Sequence, residues 1–127
     1  MIRPTILALL VMAAATAAHA QDAQTASAKR GKVLFAPCAR CHSFDPKKND
    51  LAPNLRGVVG RKAAAVKGFE YSGAMRRSFI VWDEASLNAY LAQPRVLIPR
   101  TTMRGAGVDV ESPEDRRDLI AYMKVAR

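Results

Sequence analysis

Apolar and polar positions divide the chain into an apolar start, three helical segments and long polar loops. Residues 6–18 are apolar apart from Thr16. Apolar residues at helical spacing predict helices over residues 27–36, 84–92 and 113–125. Strand signals are weak along the whole sequence. The pattern therefore predicts an all-α domain with three main helices.

Capping residues set the predicted ends of these helices. Ser27, Asp83 and Ser112 each stand where a side-chain oxygen can accept a hydrogen bond from the first helical turn. Pro37 and Pro94 follow the first two helices. We expect them to end those helices, because proline lacks a backbone donor and clashes with the preceding turn.

The segments between the helices carry turn signals. Gly, Pro and Asn-Asp pairs dominate residues 38–68, and residues 99–107 form another predicted loop. Ser72 can cap a short helical turn that ends near Arg77. Loops this long are unusual in so small a domain. They become reasonable if they wrap a large prosthetic group.

The first twenty residues have the form of a secretory signal. Arg3 gives a short positive start, an apolar stretch follows, and Ala18-His19-Ala20 matches the small-x-small cleavage pattern. We expect residues 1–20 to be cleaved, residues 21–26 to be a flexible N-terminus and residues 27–127 to form the domain. The alternative is a retained membrane anchor, for which the apolar stretch is short.

Composition narrows the classes of protein further. The chain has 127 residues, with 20 Lys and Arg against 11 Asp and Glu, a formal net charge of +9. Half of the residues are apolar, which excludes a disordered tail, and 2 Cys are too few for a disulfide-dense scaffold. Without the signal, His42 is the remaining histidine and Met75, Met103 and Met123 are the remaining methionines.

Residues 38–42, Cys-Ala-Arg-Cys-His, form a C-x-x-C-H motif, the attachment signature of a c-type haem. Thiols three positions apart on one turn can add to the two vinyl groups of one haem, and His42 then faces the iron. A redox-active cysteine pair usually follows a β-strand, whereas the segment before this motif is predicted to be a helix. A zinc site needs four ligands, and the chain without its signal offers three Cys and His. The motif favours one covalent haem c per chain.

The second axial position of the iron needs another ligand or stays open. A thioether is the natural candidate, since methionine raises the reduction potential. Met123 lies in the last predicted helix, where a core role is the simpler interpretation, and Met75 lies in a short turn. Met103 lies in a loop that can fold its sulfur over the haem, and we favour it by position. Lysine is a titratable alternative.

Further residues accompany the motif in a fixed order. They are Gly31 and Phe35 before it, then Pro53-Asn54-Leu55, Gly57, Gly60-Arg61-Lys62, Gly68-Phe69, Tyr71-Ser72, Trp82, Leu87, Tyr90-Leu91, Pro94, Pro99, Thr101, Met103, Gly107 and Asp118-Leu119-Ile120-Ala121-Tyr122. With this order and spacing, the chain from about Ser27 to Ala126 resembles a class I cytochrome c of the mitochondrial and alphaproteobacterial type. The resemblance implies the small cytochrome c fold, in which three main helices and long loops wrap one covalent haem.

The resemblance also implies the residues that hold the haem. Cys38 and Cys41 would form thioethers, and His42 would be the proximal iron ligand. The other ring nitrogen of His42 would donate to the Pro53 carbonyl, which fixes the ring plane. Met103 would be the distal iron ligand.

Other residues would surround the haem or hold the helices in place. The Tyr90 hydroxyl would lie near the sulfur of the distal methionine, and Gly31 would let the first helix cross the last near Tyr122. The haem propionates would accept hydrogen bonds from Arg61, Tyr71, Trp82 and Thr101. Without the resemblance, Trp82 and Tyr90 could be core residues, Thr101 a turn residue and Arg61 a surface residue.

The sequence departs from the family pattern at several positions. Phe35 lies one residue closer to the haem motif than usual, and Met75 stands where an asparagine is common. Arg104 and Gly105 follow the distal methionine, where an apolar residue and a phenylalanine are frequent. These changes bear on how dry the methionine side of the haem is.

The resemblance implies a monomeric periplasmic electron carrier with His/Met ligation, not an enzyme. Its partners would be redox proteins with acidic docking surfaces: a cytochrome bc complex, a terminal oxidase, a photosynthetic reaction centre or a periplasmic dehydrogenase. Six arginines lie in segments expected near the haem edge: Arg40, Arg76, Arg77, Arg95, Arg100 and Arg104. Nucleic acid is excluded by compartment, and an anionic membrane surface is at most a weak partner. The alternatives are a haem enzyme or ligand sensor with a labile distal site, and a thiol–disulfide oxidoreductase.

Overall fold

The computed structural model describes residues 4–105 and 108–127. Five α-helices lie in these ranges: α1 (Pro4–Leu34), α2 (Gly73–Arg76), α3 (Glu84–Ala92), α4 (Pro94–Leu97) and α5 (Pro113–Val125), with a 3-10 turn at Cys38–Arg40. An isolated antiparallel bridge joins Lys62 and Val81. The prediction of an all-α domain with three main helices, α1, α3 and α5, is confirmed. Gly107 lies outside the described residues.

Side-chain caps begin three of the helices as predicted. The Ser72 hydroxyl accepts from the Met75 N–H at 3.1 Å, and the Ser112 hydroxyl accepts from the Asp115 N–H at 3.2 Å. At the start of α3, Asp83 accepts from the Ser86 N–H at 2.8 Å, while the Ser86 hydroxyl accepts from the Asp83 N–H at 3.0 Å. These hydrogen bonds satisfy backbone donors that no helical carbonyl can reach.

The first helix differs from the prediction at both ends. It begins at Pro4 instead of Ser27, so residues 21–26 are helical, and it ends at Leu34 instead of residue 36. The segment before Ser27 is rich in alanine, the residue with the highest helix propensity, and this sustains the helix. Ser27 is not a cap, because its hydroxyl donates to the carboxylate of Asp118. No helix in the described ranges is long and apolar enough to cross a membrane.

Helix α1 crosses α5 at Gly31, where the two backbones come close together. A Cβ placed on Gly31 would lie 2.8 Å from the Cβ of Tyr122 and closer still to the carbonyl of Asp118. Glycine is therefore the residue that this crossing permits, as the resemblance implies. Beside it, the rings of Phe35, Phe44 and Tyr122 pack in a cluster with centroids 5.0–5.5 Å apart.

An ion pair ties the same two helices together. Arg30 donates from Nε to Oδ2 of Asp118 at 2.6 Å and from Nη2 to Oδ1 at 3.0 Å. The Arg30 guanidinium holds the pKa of the Asp118 carboxyl below its usual range. Asp118 is 3% exposed, so it belongs to the buried crossing of α1 and α5.

The core lies beneath α3, α4 and α5 and faces the long loops. Pro94 begins the short helix α4 in addition to ending α3, because proline is well suited to the first helical position. The buried apolar side chains that form the core are Phe35, Val58, Trp82, Leu87, Tyr90, Leu91, Ile98, Leu119, Ile120 and Met123. Most of them also line one large cavity.

Candidate functional site

A cavity of about 530 Å³ lies between the helices and the long loops. Its volume is within the usual range for cofactor sites, roughly 300–1,000 Å³, and its lining is largely apolar. The loops therefore enclose a space in the centre of the domain, as their length suggested. Every site residue named from the sequence lines this cavity: Cys38, Cys41, His42, Arg61, Tyr71, Trp82, Tyr90, Thr101 and Met103.

Both cysteines lie in one turn at the edge of the cavity. The Cys41 and His42 N–H groups donate to the Cys38 carbonyl at 3.1 and 2.9 Å, which closes the turn and brings the imidazole beside the thiols. Both cysteines are free thiols, Cys38 half-buried and Cys41 exposed. Burial raises the pKa of the Cys38 thiol. The described residues include no group of three or more Cys, His, Asp or Glu that could hold a metal ion.

The His42 ring is held in one orientation by the chain. Its Nδ1 lies 2.8 Å from the Pro53 carbonyl, the bond expected from the resemblance. Because a carbonyl can only accept, Nδ1 carries the proton and Nε2 keeps its lone pair. Burial lowers the pKa of the His42 imidazole, which the Pro53 carbonyl opposes and Arg61 reinforces. The ring is thus presented as a neutral nitrogen donor, the form that binds a metal.

Three methionines line the cavity from different elements. Met75 comes from α2, Met103 from the loop between α4 and α5, and Met123 from α5, where it is 5% exposed and packs in the core. This buried position agrees with the core role favoured for Met123 from the sequence. Cavity lining alone does not choose between Met75 and Met103 as an iron ligand.

The segment that carries Met103 is anchored just before it. Thr101 is 3% exposed, and its Oγ1 lies 2.6 Å from the Tyr90 hydroxyl. The Met103 N–H donates to the same Thr101 oxygen at 3.3 Å. Tyr90 thus reaches Met103 through Thr101, and burial raises the pKa of the Tyr90 phenol. That the Tyr90 hydroxyl lies near the sulfur of the distal methionine stays a prediction.

Polar side chains expected near the propionates have other partners in this structure. Arg61 donates from Nη2 to the Asn54 carbonyl at 2.8 Å and from Nη1 to the Arg56 carbonyl at 3.1 Å. The Tyr71 hydroxyl accepts from the Val66 N–H at 3.3 Å. Burial lowers the pKa of Arg61 and raises that of Tyr71. Both residues keep unused donor groups at the cavity, which suits the binding of an anion there.

Other residues of the site are not apparent from sequence reasoning. Asn54 is 6% exposed, and its amide and N–H both donate to the Asn49 side chain, at 2.9 and 2.8 Å. This bond shapes the loop that carries the Pro53 carbonyl. Phe44 follows the haem motif and joins the aromatic cluster at the helix crossing. Neither role has a local sequence signal.

The residues of the cavity fit a covalent haem. Two thiols, an oriented neutral imidazole and a thioether line one largely apolar space, and these are the groups that c-type haem attachment and axial ligation require. The family model described as Cytochrome c matches residues 28–126. The chain belongs to the cytochrome c family. It accordingly carries one covalent haem c and functions in electron transfer.

Individual relatives agree with this family. The cytochrome c of Euglena viridis is 43% identical over 101 residues, covering 79% of this chain and 97% of the relative. A cytochrome c2 of Blastochloris viridis is 40% identical over 124 residues, covering 96% and 92%. Among solved structures, cytochrome cH from Methylobacterium extorquens aligns with a TM-score of 0.71 at 40% identity, covering 76% of this chain and 96% of that one. These relatives support an electron carrier with the cytochrome c fold.

Proposed function

We propose that this chain is a periplasmic one-electron carrier in which Cys38 and Cys41 attach the haem, and His42 and Met103 bind its iron. The observation that carries the proposal is that all four side chains line one cavity, with the His42 ring already oriented by Pro53. The bound haem supplies a metal that changes by one electron between its ferric and ferrous states. The chain supplies attachment, axial ligands and a largely dry surrounding.

The axial pair determines what the site can do. A neutral thioether favours the ferrous state, so Met103 would raise the reduction potential. With His42 and Met103 both bound to the iron, no substrate would reach it, and we infer that the chain is not an enzyme. A haem enzyme or sensor would need a labile iron position and a polar distal group. The chain has 2 histidines, of which His19 lies in the predicted signal and His42 is used.

We also propose that the four polar residues expected near the propionates bind them. Arg61 and Tyr71 lie on the cavity wall with donors to spare, and Trp82 and Thr101 are buried there. Burial lowers the pKa of Arg61, because it disfavours the charged guanidinium. A negatively charged propionate beside it would stabilise that charge.

Cleavage after Ala20 is proposed for the N-terminal segment. The family match begins at residue 28, and the contacts of α1 with α5 described above begin at Ser27. The residues that line the cavity all follow Ala20 in the sequence. The form of residues 1–20 is that of an export signal, which would place the carrier in the periplasm.

Met103→Ala should remove the iron–sulfur bond. We expect loss of the weak near-infrared band of the ferric protein that arises from sulfur bound to iron, and a clear fall in reduction potential. Exogenous imidazole should bind the iron at least ~10-fold more tightly, because it no longer competes with an internal ligand. Near-infrared absorption, a redox titration and an imidazole titration measure the three effects.

Met75→Ala and Met123→Ala are the matched controls, since both side chains line the same cavity. Each should keep the near-infrared band. If Met75→Ala loses the band while Met103→Ala keeps it, the distal ligand is Met75 and our assignment is wrong. Binding of azide or carbon monoxide by the unaltered protein, without displacement of a ligand, would favour the alternative of an open haem site.

Basic residues at the cavity mouth suit an acidic redox partner. Arg40 and Arg104 line the cavity and are exposed. Arg76 differs from Arg40 and Arg104, because its Nη1 forms an ion pair with Oε1 of Glu70 at 2.9 Å. We propose that the carrier acts as a monomer and docks through the edge formed by Arg40 and Arg104 at the cavity mouth. Its partner would be a cytochrome bc complex, a terminal oxidase, a reaction centre or a periplasmic dehydrogenase. We propose no nucleic-acid partner and at most a weak contact with a membrane. Complementary charge speeds and orients such encounters.

Electron exchange with small charged reagents should reveal the positive charge at the cavity mouth. Reduction by hexacyanoferrate(II) should slow as ionic strength rises, and oxidation by a cationic cobalt complex should accelerate, since salt screens charges over about 10 Å at 0.1 M. Arg104→Gln should lower the hexacyanoferrate rate at low salt more than Arg117→Gln. Both arginines are exposed, but Arg104 lines the cavity, whereas Arg117 belongs to α5 and does not line it. Stopped-flow rates that do not depend on salt would contradict docking by this edge.

A further inference from the structure

The loop that carries Met103 is fastened at two points. The first is Thr101, which is buried and hydrogen-bonded to Tyr90 at 2.6 Å. The second is the return of the loop to the helices, where the Val110 N–H donates to the Leu91 carbonyl at 2.8 Å. The distal ligand lies close to the first point and seven residues before the second.

A single arginine holds the second point. Arg116 Nη1 donates to the Val110 carbonyl at 2.6 Å and to the Glu111 carbonyl at 2.8 Å. Its Nε donates to the side-chain oxygen of Asn88 at 2.7 Å. Arg116 belongs to α5 and Asn88 to α3, so one guanidinium joins the end of the loop to two helices.

This junction requires the shape of arginine as well as its charge. A guanidinium is a rigid plane with five N–H donors, so it can serve carbonyls and an amide oxygen in fixed directions. Arg116 is half-buried, and hydrogen bonds from a charged donor are stronger than neutral ones, more so where water is partly excluded. A lysine would keep the charge but has one nitrogen, which cannot span the same partners.

We propose that Arg116 is a positioning residue for Met103. By fixing the end of the loop, it sets how often the thioether leaves the iron and how well the carrier resists outside ligands. The proposal rests on Met103 being the distal ligand, as proposed above. A neutral thioether binds weakly, so the closed loop supplies much of the preference for sulfur over a competing base.

The effect follows from a two-state equilibrium of the loop. An external ligand reaches the iron only in the fraction of molecules whose loop is open, and its apparent affinity is reduced by that fraction. Loosening the return of the loop raises the open fraction without changing the iron ligands of the closed state. The near-infrared band of the resting protein therefore persists, while ligand affinity rises.

The test compares Arg116→Gln, Arg116→Lys and Arg117→Gln in the ferric holoprotein. Arg117 is the matched control, since it is the next residue of α5, carries the same charge and is exposed. Imidazole is titrated at fixed ionic strength, and its binding rate at saturating imidazole gives the rate of loop opening. We expect Arg116→Gln to bind imidazole ~10-fold more tightly and to open faster. Arg116→Lys should be intermediate and Arg117→Gln unchanged.

A second comparison separates positioning from general stability. Ser112→Ala removes the cap of α5 without touching the carbonyls that Arg116 holds. If Ser112→Ala and Arg116→Gln lower the free energy of unfolding equally and raise imidazole affinity equally, Arg116 acts only on the fold and the proposal is refuted. Equal affinities in Arg116→Gln and Arg117→Gln would also refute it.

The outcome distinguishes this proposal from the proposed function. A near-infrared band that survives in Met103→Ala would refute Met103 ligation, and the role of Arg116 with it. An intact Met103 bond together with unchanged imidazole binding in Arg116→Gln would refute the role of Arg116 alone. Should Arg116→Gln fail to mature, Arg116→Lys keeps the charge and supplies the same comparison.

Discussion

The double replacement of Cys38 and Cys41 by serine is expected to abolish covalent haem attachment. In attachment, each of the two thiols would add across one vinyl group of the haem, forming a carbon–sulfur bond and giving its proton to the neighbouring carbon. A serine hydroxyl lacks the nucleophilicity for this addition. Haem in the unaltered protein should stay with the polypeptide in acidified organic solvent, whereas any haem in the double variant should be extracted. Intact-protein mass spectrometry provides a second measurement.

Single variants and a control in the same turn sharpen this result. Each single cysteine variant should retain at most one thioether and mature in low yield. Ala39→Ser places a hydroxyl between the two cysteines at an exposed position and should mature normally. Haem that remains covalently bound in the double variant would show that attachment does not use these thiols, and would refute the central assignment.

The features that the sequence predicts well are those with local causes. The caps Ser72, Asp83 and Ser112 each bond a backbone N–H three residues later, so the partner is visible in the sequence. The haem motif is equally local, because both thiols and the imidazole occupy one turn. The cofactor therefore follows from one short segment, whereas the family resemblance rests on residues spread from Gly31 to Tyr122.

The features that the sequence does not reveal depend on distant partners. Ser27 looks like a helix cap, yet its hydroxyl bonds Asp118, 91 residues away. Arg116 looks like a surface residue, yet it joins Asn88, 28 residues away, to the end of the Met103 loop. Such roles are set by tertiary contacts, which local propensity does not encode.

The same distinction separates the two sides of the proposed iron site. The proximal side is built within one loop, since His42 and its acceptor Pro53 are 11 residues apart. The distal side is assembled from α3, α5 and the loop between α4 and α5, through Tyr90, Thr101 and Arg116. The proposed bond from Met103 to the iron would thus depend on the packing of the whole fold, and we expect destabilised helices to weaken it before the proposed bond from His42.

Gly31→Ala should destabilise the folded protein by about 3 kcal/mol, the upper part of the range for overpacked interiors. A Cβ at this position meets the backbone of Asp118 and the Cβ of Tyr122, at 2.8 Å for the latter. Backbone atoms of a packed helix cannot move aside as the end of a side chain can. Helices α1 and α5 must therefore separate, which also lengthens the Arg30–Asp118 contact and disturbs the rings of Phe35 and Tyr122.

Gly73→Ala is the matched control for the crossing glycine. It is the same substitution in another helix, but there the new Cβ meets the guanidinium of Arg77, the flexible end of a side chain, at 2.8 Å. Its effect should stay within about 1 kcal/mol, because alanine also reduces the entropy of the unfolded chain. Urea unfolding of the haem-containing variants, followed by Trp82 fluorescence, measures both free energies. Because Trp82 lines the haem cavity, its emission is quenched in the folded state and rises on unfolding. Equal stabilities of Gly31→Ala and Gly73→Ala would contradict the close approach of α1 and α5, and with it the reason for a glycine at this position.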